Sequence, residues 1–381
     1  MIAQADPDSL EIERFYANLS TQIRLFGAEE LGRRYVVVRL ARMEVNGHVD
    51  FSDLQRILAR VSDVRAWYPA WAQEAQAAER RAEQWVEEDR RVSAAGMFLR
   101  ASGCYHWGQY LARLGTAEKV EGREGRVRCY RKAVEYLDAR IEAVSIPFGD
   151  VDLPGFLHLP ASAEGRPTGC VIMVNGADSV KEEYHNWARD FVRRGLAALT
   201  MDGPGQGELV GVLPMRPEAW EEPVAAAIDF LETQPGVDAS RIGAWGSSMG
   251  GFLVSRAAAF DERIRAAVSS GGFYDLRDYP LWPVSTQLNV MEDLMLSTLS
   301  EARAYVRDRC SLEGVASRIR CPYLVIHGAR DELVTVEEAC RMAEEAPHGE
   351  FANFEDGFHT CTNHNATLVP LMCDWMAKRL R

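Results

Sequence analysis

The sequence predicts an α/β protein: a mainly parallel sheet with helices on both faces, preceded by an all-helical N-terminal region. Three observations carry this. Strand and helix patterns alternate after residue 139. Before it, apolar residues recur at three- and four-residue spacing between charges. Inside the alternating part, one short strand runs through a glycine-flanked turn at Ser248 straight into a helical pattern. With 381 residues, the chain suits two domains at roughly 150 residues each. The expected division is a helical domain over 1–139 and an α/β domain over 140–381, the latter interrupted by an insertion at 273–317.

In the first region, helices are predicted over 9–26, 50–61 and 64–92, and a less charged, deeper helix over 94–114. Glycine is scarce there, and Pro7 and Pro69 are the only prolines. Trp67, Trp71 and Trp85 stand at approximately helical spacing, which marks a packed face more often than an aromatic box for a ligand.

From residue 140 the period changes. Segments 141–146 and 155–159 read as a β-hairpin around the turn-rich FGDVDLP. Strands follow at 170–174, 197–201, 241–245, 266–270, 323–327 and 350–354, with helices at 182–194 and 218–233 between them. Such alternation implies a parallel sheet covered on both faces, with the ligand site at the carboxyl ends of its strands. The insertion 273–317 reads as helical and is placed over that site.

The strongest local signal is Gly246-Ser247-Ser248-Met249-Gly250. It fits G-x-S-x-G in the context that pattern requires, a strand (RIGAW) before it and a helix (FLVSRAAAF) after it. Gly246 and Gly250 let neighbouring elements approach without a clashing Cβ. The helix presents its unpaired N-terminal N–H groups at the serine. Ser248, at the centre, is the expected nucleophile; Ser247 serves the turn. This is the strand–turn–helix of the α/β-hydrolase fold, whose acid and base follow the serine in the order Asp or Glu, then His.

A serine hydroxyl needs a base to take its proton. Asp331 lies just past the strand Cys321-Pro-Tyr-Leu-Val-Ile-His-Gly, and His359 just past Asn353-Phe-Glu-Asp-Gly-Phe. Both therefore reach the sheet edge that carries Ser248. Asp331 is expected to stay ionised, hold the imidazole tautomer and stabilise the imidazolium. Glu332 is a second candidate carboxylate. Asp356 is read as a turn residue, His327 as a satisfied core histidine and His364 as a neighbour behind the site. The oxyanion needs preorganised N–H donors. Met249 supplies the first, and the loop Asn175-Gly176-Ala177-Asp178 the second, with Ala177 N–H as its donor. Asp202, after another strand on this edge, is read as a turn cap.

Composition excludes several classes. The formal net charge of −13 argues against nucleic-acid and anionic-membrane partners, which need a basic face. No apolar run approaches the roughly 18 residues of a membrane span. The start MIAQADPDSLEIE lacks the basic and apolar regions of a secretory signal. Eight scattered cysteines without a C-x-x-C pair suit reduced thiols better than disulfides or zinc. The expectation is a cytoplasmic protein. No metal or organic cofactor is implied: no ligand cluster has metal spacing, and GPGQG does not open a helix in a dinucleotide-binding context.

The runs NGADSVKEE, MDGPGQGE, GSSMGG, HGARDE and EDGFHTCTNH resemble the 2,6-dihydroxypseudooxynicotine hydrolase group of α/β-hydrolases. That group is related to the fermentation-respiration switch proteins and to fungal polyketide-shortening hydrolases. The resemblance extends to FLRASGCYHWGQYLA and RVRCYRKAVEYL, which are similar to the helical cap of the group, and so covers nearly the whole chain. It implies a C–C bond hydrolase for a 1,3-dicarbonyl or acyl-aromatic small molecule, a triad of Ser248, Asp331 and His359, and a homodimer whose cap helices cover the cleft. Arg100, Tyr105 and His106 are the cap's candidate substrate contacts, although packing between helices is the commoner fate of each. The resemblance also implies a functional acid soon after a G-G-F-x-D-L stretch. Gly271-Gly-Phe-Tyr-Asp-Leu276 matches that stretch, while RDYPLWP beyond it departs; Asp278 is the candidate acid. Ester hydrolysis uses the same parts as C–C hydrolysis. Two alternatives stay open: a lyase of this fold that eliminates acetate from an acylated tetronate, and a non-catalytic binding protein.

Overall fold

A computed structural model describes residues 7–28, 42, 48–161 and 166–381. Two compact units emerge. One holds the described part of Met1–Asp138 together with Pro283–Leu288 and Thr298–Ser300; the other holds Ala139–Trp282, Asn289–Ser297 and Glu301–Arg381.

The first unit is helical among its described residues: Pro7–Phe26, Phe51–Leu58, Trp67–Glu87, Arg91–Tyr110 and Ala117–Tyr136. Asp50 and Thr116 cap two of these helices, accepting from Asp53 N–H and Lys119 N–H. The long helix predicted to reach residue 92 ends sooner. Asp89 adopts φ 56°, and Arg90 N–H donates to Trp85 carbonyl at 2.8 Å. This is the six-to-one closure that stops a helix when a residue takes the left-handed region. Asp enters that region more readily than most residues. Trp67 and Trp71 lie in this unit's apolar core, and Trp67 Nε1 donates to Trp107 carbonyl at 3.0 Å. Trp85 departs from the expected set: it is half-buried, with the Arg81 guanidinium over its ring. Pro283–Leu288 and Thr298–Ser300 belong to this unit although the sequence placed them in the insertion; Asp8 receives both the N–H and the hydroxyl of Ser300 at 2.9 Å.

The second unit is built on an eight-stranded sheet of order β1-β2-β4-β3-β5-β6-β7-β8. The strands are β1 Arg140–Phe148, β2 Val151–Leu159, β3 Thr168–Val174, β4 Ala197–Met201, β5 Val237–Ser247, β6 Ile264–Ser270, β7 Tyr323–Gly328 and β8 Gly349–Phe354. β1–β2 and β2–β4 pair antiparallel, and all other neighbours are parallel. β3, β4 and β7 are buried along their whole length, as strands covered on both faces must be. On one face Trp187 packs tilted and Tyr184 edge-on against Trp245 of β5, at 4.7 and 4.9 Å between ring centroids. The helix predicted over 182–194 begins instead as a 3-10 turn, Lys181–Tyr184, before the α-helix His185–Val192. Between β6 and β7 run the helices Val284–Asp293 and Leu299–Arg309.

Among the described residues no helix is long and apolar enough to cross a membrane. All eight cysteines are free thiols.

Candidate active site

β5 delivers Ser248. Directly past its last residue, Ser248 takes φ 57° and ψ −120°, a strained region for a side chain with a Cβ. Its N–H is held by Ser270 carbonyl at 2.9 Å, and its own carbonyl accepts from Gly251 N–H at 2.8 Å. A Cβ on Gly246 would collide with the backbone of Gly250, so only glycine lets the strand and the following helix, Met249–Phe260, meet at this angle. Met249 is the first residue of that helix, and its N–H has no partner within it.

β7 and β8 deliver the other two side chains. His359 Nε2 lies 2.9 Å from Ser248 Oγ, and His359 Nδ1 lies 2.7 Å from Asp331 Oδ2. The other Asp331 oxygen, Oδ1, accepts from Leu333 N–H at 2.8 Å and Val334 N–H at 3.1 Å. The Asp331 side chain is fully buried. Burial alone raises its pKa, but the charge and hydrogen bond of His359 and the Leu333 N–H outweigh burial and leave it below the ordinary carboxylate range. Asp331 is thereby kept as an acceptor at neutral pH. Thr360 and Cys361, immediately after His359, both sit in the left-handed region at φ 60° and 55°. Burial pushes the Cys361 thiol up to about 12, so it is no rival nucleophile.

The loop after β3 runs beside the serine. A Cβ on Gly176 would lie 2.9 Å from Ser247 carbonyl and 3.3 Å from Ser248 Cβ. Gly176 N–H is spent on Ser179 Oγ at 2.6 Å, and that oxygen shares a hydrogen bond with Tyr184 OH at 2.8 Å. Among the described residues no hydrogen bond uses the N–H of Ala177. The loop therefore offers Ala177 N–H and not that of its neighbour.

The other residues singled out from sequence fall differently. Ser247 pairs with Ser270 in the sheet register, and Glu332 is exposed. Asp356 meets His364 Nε2 at 2.9 Å, and its carbonyl accepts from Asn363 at 3.0 Å. His327 is fully buried, yet neither ring nitrogen has a hydrogen-bond partner among the described residues; the expectation of a satisfied core histidine is corrected. Burial lowers its pKa and keeps the ring neutral. Arg100 is engaged inside its own helical unit by Asp53 and by Glu74. Tyr105 packs on the backbone of Gly125, and its hydroxyl donates to Glu79 at 3.2 Å. His106 is buried edge-on to Trp107. Tyr105 and His106 are buried within the helical unit and Arg100 is half-buried there, each against residues of that unit. Asp278 is exposed at the head of the 3-10 turn Tyr279–Leu281.

Sequence reasoning missed one feature. Asp202, read as a turn cap, is completely buried and anchors a polar network with Asn175, Lys181, Gln206 and Glu208. Carboxylate oxygens of Glu182, Asp202 and Glu208 lie within 4.8 Å of one another, but the Lys181 ammonium meets all three at 2.7 Å. A cation is already supplied there by the chain. The signal in the sequence was the pair NGADSVK and DGPGQGE, which end two neighbouring strands.

A strained serine after a central parallel strand, with His and Asp on later strands of the same edge, defines the α/β-hydrolase class. The comparisons agree. The prolyl oligopeptidase family model matches residues 222–380, and that of the X-Pro dipeptidyl-peptidase (S15) family matches residues 149–286. The 2,6-dihydropseudooxynicotine hydrolase of Paenarthrobacter nicotinovorans is 30% identical over 335 residues, 86% of this chain and 88% of that protein. The crystal structure of the 2,6-dihydroxy-pseudo-oxynicotine hydrolase superposes with a TM-score of 0.82 at 28% identity, covering 90% of this chain and 95% of that one. An α/β hydrolase of Acremonium sp is 34% identical over 269 residues, 64% of this chain and 54% of that protein. The wild-type AbyA5 structure, at 19% identity and a TM-score of 0.72 over 90% of this chain and 95% of that one, shares the fold. This chain belongs to the 2,6-dihydroxypseudooxynicotine hydrolase group of the α/β-hydrolases, and it is an enzyme of the hydrolase class.

Proposed function

We propose that the protein is a serine hydrolase that cleaves a C–C bond next to a ketone, or an ester, in a small secondary-metabolite-type substrate. The observation that carries this reading is the unbroken chain Ser248 Oγ, His359, Asp331 at 2.9 and 2.7 Å, begun by a serine held at φ 57°. His359 takes the Ser248 proton as Oγ bonds to the carbonyl carbon. The oxygen that becomes negative is received by the N–H groups of Met249 and Ala177. Collapse breaks the bond to the leaving carbanion or alkoxide, which takes the proton from His359. Water, deprotonated by the same His359, then releases the acid from Ser248. The named relative acts as a hydrolase on 2,6-dihydropseudooxynicotine, which supports a small-molecule substrate here. The eight free thiols support a reducing compartment, the cytoplasm.

The test is Ser248→Ala with turnover in heavy-oxygen water. The variant loses roughly 10⁴-fold or more in kcat while remaining folded, and the wild-type enzyme places one solvent oxygen in the released acid. An unlabelled acid with activity surviving Ser248→Ala transfers the assignment to an acetate-eliminating lyase. A folded wild-type protein that takes no fluorophosphonate label at Ser248 points to a binding protein.

Residues 1–139 are proposed as a cap and homodimer contact for the 140–381 catalytic domain. The change from helical to alternating pattern near Ala139 supports this. A truncated 140–381 chain is expected to be insoluble or inactive on large substrates; a soluble, fully active one overturns the cap.

A further inference from the structure

We infer that Asp202 is a positioning residue for the oxyanion turn: one carboxylate pins both ends of the loop that carries Ala177 N–H. The inference rests on the proposed role of that N–H. Asp202 Oδ1 accepts from Asn175 Nδ2 at 2.9 Å and from Lys181 N–H at 3.0 Å. Asn175 opens the turn and Lys181 closes it, so the same oxygen fixes its entry and exit. Oδ2 accepts from Lys181 Nζ at 2.7 Å and from Glu208 N–H at 3.1 Å, which ties the turn to the GPGQG segment. Gln206 completes the frame: its Nε2 donates to Asn175 carbonyl at 2.8 Å, while its Oε1 accepts from Gly203 N–H at 3.2 Å. Asp202 and Asn175 have no exposed surface, and Lys181 and Gln206 almost none.

Four donors converge on this carboxylate, and each is a group whose position decides where residues 175–181 run. Inside the frame, Ser179 consumes Gly176 N–H, and Gly176 rests against the Ser247 carbonyl and the Ser248 Cβ. The turn is thus held at both ends and at Gly176, directly before Ala177. A preorganised donor costs no reorganisation when charge develops, and buried hydrogen bonds that converge on one carboxylate hold the segment carrying such a donor in place. An asparagine at 202 offers one acceptor oxygen where four donors meet, so at least one anchor of the turn is released. Lys181 keeps Glu182 and Glu208 as partners, which lets the variant fold.

The experiment uses the full-length protein and two probes, a p-nitrophenyl alkylphosphonate and its P=S counterpart. Each phosphonylates Ser248, whose proton passes to His359 as p-nitrophenolate leaves. Oxygen is a strong acceptor and sulfur a weak one, so oxyanion N–H groups favour the P=O probe. Wild type is expected to react faster with P=O. Asp202→Asn is expected to lose about 10-fold or more of its P=O rate, a fraction of the loss on deleting a donor outright, while its P=S rate stays within about 3-fold. Ser179→Ala, which frees Gly176 N–H without touching the charges, is expected to shift the ratio the same way by less. Parallel loss of both rates in both variants marks a merely structural role and overturns the inference, as do unchanged rates. No release by wild type, or release that survives Ser248→Ala, overturns the nucleophile assignment and the inference with it.

Discussion

Replacing Asp331 by asparagine is the sharpest perturbation of the triad, because the geometry dictates how the new amide must lie. The carboxylate oxygen away from His359 accepts two backbone N–H groups, those of Leu333 and Val334. In Asp331→Asn that site demands the amide oxygen, so the NH₂ group must face His359 Nδ1. His359 Nδ1 becomes an acceptor, and the ring proton moves to Nε2. There it donates to Ser248 Oγ and cannot accept the serine proton. The variant keeps the shape of the site and holds the wrong tautomer. A loss of about 10⁴ in kcat is expected, which corresponds to about 5 kcal/mol of transition-state stabilisation. The assay is hydrolysis of a p-nitrophenyl ester together with the rate of fluorophosphonate labelling, both at neutral pH. Activity within about 10-fold of wild type refutes the tautomer argument. The same variant carries a stability signature. Asp331 has a folded pKa below its ordinary value, so its contribution is present above about pH 4 and is lost as pH falls through the folded pKa. The stability gap between wild type and Asp331→Asn should therefore narrow on acidification below about pH 4. A gap that widens contradicts the depressed pKa.

Two further variants test the placement of the remaining residues. Gly176→Ala puts a methyl 2.9 Å from Ser247 carbonyl; kcat should fall roughly 10- to 100-fold with little change in KM, and an unchanged kcat separates this loop from the chemistry. Arg100→Met leaves the buried Asp53 carboxylate with less compensation; thermal or denaturant unfolding should reveal a loss of roughly 1–3 kcal/mol with KM unchanged, whereas a raised KM at constant stability supports Arg100 as a substrate contact.

What the sequence could disclose follows from which interactions are periodic. The sheet was legible because β3, β4 and β7 are runs of apolar residues that nothing but burial explains. The triad was legible because the motif, the strand ends and the chain order constrain one another. The turn at Asp89 was not, since the charged run from Glu87 to Arg91 continues the helical composition and only backbone geometry breaks it. The start of the 182–194 segment was misread for a related reason. Lys181, Glu182 and Glu183 have the composition of a solvated face, yet all three are buried; Lys181 pairs with Glu182 in a charge network whose other members, Asp202 and Glu208, are distant in sequence. Tyr105 looked available for a ligand because its partner, Glu79, lies 26 residues away on another helix.

Backbone strain points to the same place as the hydrogen bonds. Among the described residues, six other than glycine take positive φ: His48, Asp89, Ser248, Met295, Thr360 and Cys361. Asp89 closes a helix, a task with a local reason. Ser248, Thr360 and Cys361 have no such local need; they carry or directly follow the two side chains that meet at 2.9 Å. Each left-handed residue of this kind costs on the order of 1–3 kcal/mol and persists only where its surroundings over-determine it. Those surroundings are identifiable. Ser270 carbonyl holds Ser248 N–H, Phe358 carbonyl holds Cys361 N–H, and Asn363 Oδ1 holds Phe358 N–H. Gly271, the residue after Ser270, lies so close to Thr360 that a Cβ there would sit 2.8 Å from its N–H nitrogen. The end of β6 thus supports both strained segments at once, gripping the serine turn through residue 270 and the histidine turn through residue 271. A packing-only sheet edge has no use for two strained turns braced by one strand end. An edge that must keep a hydroxyl and an imidazole in register has that use.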